Sequence, residues 1–176
     1  IEHWAPGQFA RLHVGDNAWR DYSIAGLDDH RLRLLISTRT GGRGSQFIEN
    51  ADKGATTVVE LPLGGFGLAD SDRRRLFIAT GTGIAPMLAM FAQAPGLEHD
   101  TLVFGCRNRE EDLTTVIDSP MPGRVLRCLS REEAPDTFHG RVTDALPGLT
   151  GSFGLDPRST EVYLCGRDGG RYPERP

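Results

Sequence analysis

Lysine is almost absent from this chain: of 20 lysine and arginine residues in 176, only Lys53 is a lysine. Aspartate and glutamate number 24, so the net charge is -4, a balance that argues against non-specific binding to nucleic acid. Cysteine is scarce as well. Cys106, Cys128 and Cys165 are far apart, odd in number and without a C-x-x-C pair, which excludes a disulfide framework and a zinc ribbon. An iron–sulfur cluster of the usual kind takes four thiolates, so these three cannot hold one by themselves. His3, His13, His30, His99 and His139 have no ligand-like spacing, and no metal site is expected. No apolar run approaches the ~20 residues that cross a bilayer. No basic segment followed by a small-residue cleavage site marks a signal peptide either, so a cytoplasmic location away from membranes is expected.

What is present centres on Arg75–Pro86, RLFIATGTGIAP. Leu76–Ala79 is a continuously apolar run, the pattern of a strand buried on both faces of a parallel sheet. Gly81-Thr82-Gly83 follows at once, and two glycines let the backbone turn sharply and bring its N–H groups close to an anion. Pro86 suits the first turn of a helix, whose N–H groups there have no partner. Ile84, Met87, Leu88 and Phe91 continue at helical spacing. Strand, glycine turn and helix start together outline a phosphate-binding device, because the free N–H groups and the positive end of the helix dipole both face the loop. The hexapeptide is neither G-x-G-x-x-G nor a P-loop, and an ordinary tight turn accounts for it equally well.

Upstream, short alternating stretches at Gln8–Val14, Trp19–Ala25, Arg31–Ile36 and Thr56–Leu61 are separated by turn residues, including Gly15-Asp16-Asn17 and Asp28-Asp29. They predict a small antiparallel barrel. Gly44-Ser45 opens a predicted helix over Gln46–Ala51. Arg20 and Tyr22 alternate onto one side of their strand and Ser23 onto the other. Gly41-Gly42-Arg43-Gly44-Ser45 is a second glycine-rich loop running into a helix start.

Downstream, Pro95-Gly96 ends the first helix. Strands are predicted at Thr101–Cys106, Val125–Leu129 and Glu161–Cys165. Asn108 and Glu111 form a candidate capping box for a helix through Val116, and a short helix is expected within Gly140–Leu146. The alternation of strand and helix predicts a doubly wound parallel sheet, with Thr82, Arg107, Ser130, Arg131 and Cys165 at the carboxyl ends of its strands, where such sheets bind ligands.

Taken together, these pieces resemble the ferredoxin-NADP reductase family. Arg20-Asp21-Tyr22-Ser23 is similar to its R-x-Y-S and Gly42-Arg43-Gly44-Ser45 to its G-x-G-S. Leu61–Phe66 is similar to G-P-x-G-x-F, with Leu61 in place of the first glycine. Gly81–Pro86 matches G-T-G-I-A-P, Phe104–Leu113 resembles F-G-x-R-x-x-x-D-L, and Cys165-Gly166 the C-G pair. The resemblance implies an antiparallel FAD-binding β-barrel over residues 1–72, followed by an α/β doubly wound NAD(P)-binding domain over 73–176. It implies that Arg20, Tyr22, Ser23, Gly42, Gly44 and Ser45 hold FAD. Gly81, Thr82, Gly83, Pro86, Arg107, Ser130, Arg131, Cys165 and Gly166 would hold NADP or NAD, with Ser23 and Cys165 beside the reacting rings. Arg131 directly after the strand-end Ser130 favours NADPH, because it can make bidentate, charge-assisted contacts with a phosphate, whereas Glu132 and Glu133 can point to water.

The implied activity is NAD(P)H oxidoreduction through FAD to a one-electron acceptor such as ferredoxin, flavodoxin or an oxygenase component. A catalytically inactive fragment, an interaction module or a flavin-free dehydrogenase are the rival expectations. Residues 1–7 begin where the family's barrel is already under way, and Arg167–Pro176 are unlike the family's closing segment, so truncation at both ends is expected.

Overall fold

A computed structural model describes residues 3–28 and 30–166. Asp29 of the expected Asp28-Asp29 turn and the Arg167–Pro176 segment lie outside the described residues. The first half builds β1 (Phe9–His13), β2 (Trp19–Asp28), β3 (Arg31–Leu34) and β4 (Val59–Leu63), one antiparallel sheet in the order β3-β2-β1-β4. The alternation read from β1 holds: Ala10 and Leu12 are buried, with Val14 and Ile24, and Trp4, Tyr22, Phe47 and Leu61 pack around them. β4 runs later than the expected Thr56–Leu61, passing through Pro62. It is an edge strand, where the N–H that proline lacks has no partner to miss.

α1 (Arg43–Glu49) starts three residues before the expected Gln46, with Gly42 as its N-cap. Gly44 and Ser45 are therefore buried members of its first turn.

The second half is a parallel sheet of β5 (Arg74–Thr80), β6 (Thr101–Cys106), β7 (Arg124–Leu129), β8 (Phe138–His139) and β9 (Thr160–Cys165), ordered β8-β7-β6-β5-β9. The two-residue β8 is too short to leave a pattern in the sequence. α2 (Ala85–Phe91) is buried along its whole length, packed on the face formed by Phe77, Ala79, Leu102, Phe104 and Tyr163. Ala25 and Leu35 of the antiparallel half pack against the same cluster, so α2 is the wedge between the two sheets.

Two further helices lie in this half, α3 (Leu113–Val116) and α4 (Val142–Ser152). α4 covers the opposite face of the sheet, setting Val142, Ala145 and Leu149 on Leu76, Ile78, Val103 and Cys128. Helices on both faces make this the doubly wound arrangement expected. α4 runs past the expected end at Leu146 because the i, i+3, i+7 apolar stripe of Val142, Ala145 and Leu149 continues beyond Pro147, which stands on the exposed side of the helix.

The expected capping box does not form. The Asn108 side-chain oxygen is buried without a hydrogen-bond partner among the described residues. The chain makes a short 3-10 turn, Arg109–Glu111, before α3. Asp112 caps α3, accepting from the Thr114 backbone N–H at 3.0 Å and from its hydroxyl at 2.6 Å. Its carboxylate lies 3.2 Å from the Arg127 guanidinium. A carboxylate accepts more strongly than an amide, so the cap moves four residues on and the helix is cut to one turn.

Candidate functional site

Two clusters of the expected residues form, one on each sheet. On β2, Arg20 and Tyr22 share a face, and α1 is laid against it. A Cβ placed on Gly44 would lie 3.3 Å from Arg20 Cγ and 3.4 Å from Tyr22 Cζ, and would overlap the Tyr22 hydroxyl outright. Glycine is required there because a strand side chain and a helix backbone touch. Ser45, 4% exposed, donates from its hydroxyl to the Ser37 carbonyl at 3.2 Å, which ties the first turn of α1 to the segment after β3. Arg20 donates to the Trp19 carbonyl at 2.7 Å and borders an open concavity of about 450 Å³ shared with Arg11, Trp19, Asp21 and Glu60. Burial pushes the Tyr22 phenol up from its ordinary value, and the positive charge of Arg20 pulls against it. Ser23 is paired opposite Phe9 in the β1–β2 ladder, on the other face from Arg20 and Tyr22.

On the parallel sheet, β5 runs into a 3-10 turn, Gly81–Ile84, and then into α2 with Pro86 in its first turn. The chain leaves β5 for β6 on one side and reaches β9 on the other, so the switch point, where sheets of this kind form a ligand crevice, falls between the carboxyl ends of β5 and β9. Gly81, at φ 52°, takes the left-handed turn. Gly83 is needed for a different reason, close approach, because its Cα faces the end of β9, where a Cβ would stand 2.5 Å from the Cys165 carbonyl oxygen. Gly166 closes on Thr80 in the same way, its missing Cβ leaving room for the Thr80 backbone nitrogen. Cys165 is half-buried, and burial raises its thiol above the ordinary value.

The β6–β7 ladder continues beyond both strands. Ser130 N–H donates to the Cys106 carbonyl at 3.1 Å and Arg131 N–H to the Arg107 carbonyl at 2.9 Å. Arg107, Ser130 and Arg131 are thus neighbours on one rim, beyond the ends of β6 and β7, one and two strands along from β5. The expectation that both carboxylates point to water needs correcting, since Glu132 accepts the Arg109 backbone N–H at 2.9 Å. A backbone donor freed by the 3-10 turn is the physical reason. Burial, with Asp112 and Glu111 nearby, pushes Cys106 up to about 12.

Sequence reasoning did not single out Arg39 or Tyr163. Glu111 accepts from Arg107 at 3.0 Å through Oε2, lies 2.7 Å from it through Oε1, and also binds Arg39 of the antiparallel half. The i, i+4 spacing of Arg107 and Glu111 was the available signal. Nothing local pointed to Arg39, which is 72 residues away. Among the described residues no helix is long and apolar enough to cross a membrane, and no cluster of His, Cys, Asp and Glu is arranged to hold a metal.

A parallel sheet with a glycine turn at its switch point, preceded by an antiparallel sheet that seats a glycine-led helix on an Arg-x-Tyr strand, defines a dinucleotide-binding protein of the ferredoxin reductase fold. Residues 77–169 match the oxidoreductase NAD-binding domain family, and the chain belongs to it. It is 37% identical to the anthranilate 1,2-dioxygenase electron transfer component of Acinetobacter baylyi, over 92% of this chain and 50% of that one. Identity to methane monooxygenase component C of Methylosinus trichosporium is 36%, over 82% and 46%. The chain therefore spans about half the length of these curated relatives. A crystal structure of a ferredoxin NADP+ reductase from Neisseria gonorrhoeae with bound FAD and NADP superposes with a TM-score of 0.73 at 24% identity, covering 93% of this chain and 74% of that one. That likeness establishes the fold.

Proposed function

We propose that this chain is the flavin- and nicotinamide-binding part of an NAD(P)H-dependent electron-transfer reductase that serves an oxygenase component or a ferredoxin. Residues 1–72 are assigned to the flavin and 73–176 to the nicotinamide dinucleotide. The observation that carries the reading is the contact of Gly44 with Tyr22 and Arg20, which joins two motifs more than twenty residues apart into one cradle. Electron-transfer components of oxygenases among the relatives support the class of acceptor.

The residues present fit FAD: a guanidinium for a phosphate, a phenol ring for a flavin face, and the first turn of α1 with its N–H groups beside them. FAD held there would supply hydride acceptance from a nicotinamide and one-electron release to an acceptor. The chain's part is to hold and orient. Arg20 offers charge-assisted hydrogen bonds, Tyr22 supplies a flat apolar surface, and Gly42, Gly44 and Ser45 open a path for phosphate to the backbone. Ser23 is assigned a hydrogen bond to the edge of the flavin ring. Across the molecule, Gly81, Thr82, Gly83 and Pro86 shape the turn for the nicotinamide dinucleotide. Cys165 and Gly166 wall the place for its reactive ring and keep water from it. Arg107, Ser130 and Arg131 line the rim for the remaining phosphates, and Arg131, exposed and at the strand end, supports NADPH.

The test is the visible spectrum of the purified chain, desalted after incubation with FAD and then mixed anaerobically with NADPH or NADH. Retained flavin bands that bleach on adding coenzyme are the expected result. A chain that keeps no flavin at any FAD concentration would overturn the assignment.

A further inference from the structure

Glu111 occupies an unusual place for a turn residue. Its carboxylate lies between two guanidiniums, Arg107 of its own half and Arg39 of the antiparallel half. Both of its oxygens are engaged, and its side chain is only 28% exposed. Arg39 precedes α1, the helix that closes on β2, whereas Arg107 stands two residues beyond Gly105, which is paired with Thr80 at the end of β5. The ion triad therefore bridges the two halves beside the glycine turn. Two cations on one carboxylate leave a surplus positive charge at that spot, and partly exposed pairs of this kind are weak. A phosphate offers a guanidinium the same bidentate, charge-assisted pairing as a carboxylate, so it can take a carboxylate's place.

Resting on the nicotinamide reading above, we propose that Glu111 is an internal stand-in for a coenzyme phosphate. It latches Arg39 to Arg107 across the halves, and a phosphate of the entering dinucleotide takes its place on Arg107. The like charge of that phosphate repels the Glu111 carboxylate and drives it off both guanidiniums, so Arg39 is released and the contact between the halves loosens. Coenzyme entry and loosening are one event. Glu111 is a positioning residue in this scheme, acting through the arginines that it holds.

The experiment uses the full chain, wild type and the variants Glu111→Gln and Arg39→Gln, each checked for folding by far-ultraviolet circular dichroism. Calorimetric titration with ADP-ribose, and separately with inorganic pyrophosphate, measures affinity. Hydrogen exchange of the backbone around residues 38–41 reports the latch. Removing the internal competitor should tighten ADP-ribose binding by roughly 3–10-fold in Glu111→Gln, the scale of one or two exposed ion pairs. Exchange at 38–41 should quicken when ADP-ribose binds the wild type, and should already be fast in both variants without ligand. Equal or weaker ADP-ribose binding by Glu111→Gln overturns the latch while leaving the nicotinamide reading intact, as does exchange that ignores the ligand. Pyrophosphate binding as tightly as ADP-ribose overturns the dinucleotide as the displacing ligand. No ADP-ribose binding by any of the three proteins is the distinct result that overturns the nicotinamide reading itself, and the latch with it.

Discussion

Replacing Gly83 by alanine adds a single methyl where the glycine turn meets the end of β9. That methyl would lie 2.5 Å from the Cys165 carbonyl oxygen and 2.7 Å from its carbon, where non-bonded carbon contacts settle at about 3.5 Å. Both obstacles are backbone, so relief requires the end of β9 to retreat by about 1 Å, the difference between those separations. The last β5–β9 pair, Ala79 with Cys165, then loses its geometry. Overpacking costs about 1–3 kcal/mol and a compromised backbone hydrogen bond about 1 kcal/mol more, so about 2–4 kcal/mol is expected. Gly81→Ala is the control. Gly81 sits at φ 52°, and a Cβ added there would meet no atom within 4 Å, so the change incurs a left-handed backbone penalty of about 1–2 kcal/mol, partly offset by the lower entropy of the unfolded chain. Urea unfolding followed by circular dichroism reads both changes. With a slope of about 2 kcal/mol per molar urea, Gly83→Ala should lower the midpoint by about 1–2 M and Gly81→Ala by under about 0.5 M. ADP-ribose affinity should fall in Gly83→Ala while FAD affinity stays. Equal midpoints, or the reverse order, would refute the assignment of one glycine to close approach and the other to backbone conformation.

Arg20→Ala should weaken FAD binding by one to two decades, since a charged hydrogen bond to phosphate is worth ~1.5–3 kcal/mol; unchanged affinity in a flavin titration removes Arg20 from the cradle. Arg131→Ala should raise the KM for NADPH roughly tenfold and leave NADH nearly unaffected, because only the 2′-phosphate contact is lost; equal effects in steady-state assays count against that contact. Cys128 is fully buried, and burial raises its thiol to about 11. The folded state therefore holds a proton that the unfolded chain releases above ~8.5, and stability should fall by up to ~1.4 kcal/mol per pH unit from there towards pH 11. Cys128→Ala should flatten that alkaline slope in unfolding curves taken between pH 8 and 10.5, and an unchanged slope means that other groups carry it.

The strands of both sheets, the two-residue β8 aside, were legible from short apolar or alternating runs. β1 alternates, β5 and β6 are continuously apolar, and β6 falls at Thr101–Cys106 as expected. Helix limits were less legible wherever tertiary contacts outweighed local signals. α1 began early because β2 buries Gly44 and Ser45, and α4 ran through Pro147 because the sheet below rewards the stripe to Leu149. The failed capping box has the same origin, since Asp112 is fixed by Arg127, a partner on another strand. Within the site, the glycine turns and Arg20-x-Tyr22 were readable as motifs. The Arg39–Glu111 bridge was not, because no local pattern links residues so distant in sequence.

Tyr163 bears on how the two halves can move. Its hydroxyl accepts the Ala69 backbone N–H at 3.0 Å and donates to Glu161 at 2.9 Å, while its ring stacks on Phe77 and meets the edge of Phe66. Ala69 lies midway along the segment between Leu63 and Arg74. A connector free along that whole segment would let the sheets drift like beads on a cord. Pinned at its midpoint, it leaves a slack of some five residues, about 17 Å when fully extended. Leu68, packed against the same cluster, shortens that slack further. The connector then acts as a short stay, with Tyr163 as its fixed post. The two sheets can part no further along this connector than that short stay allows.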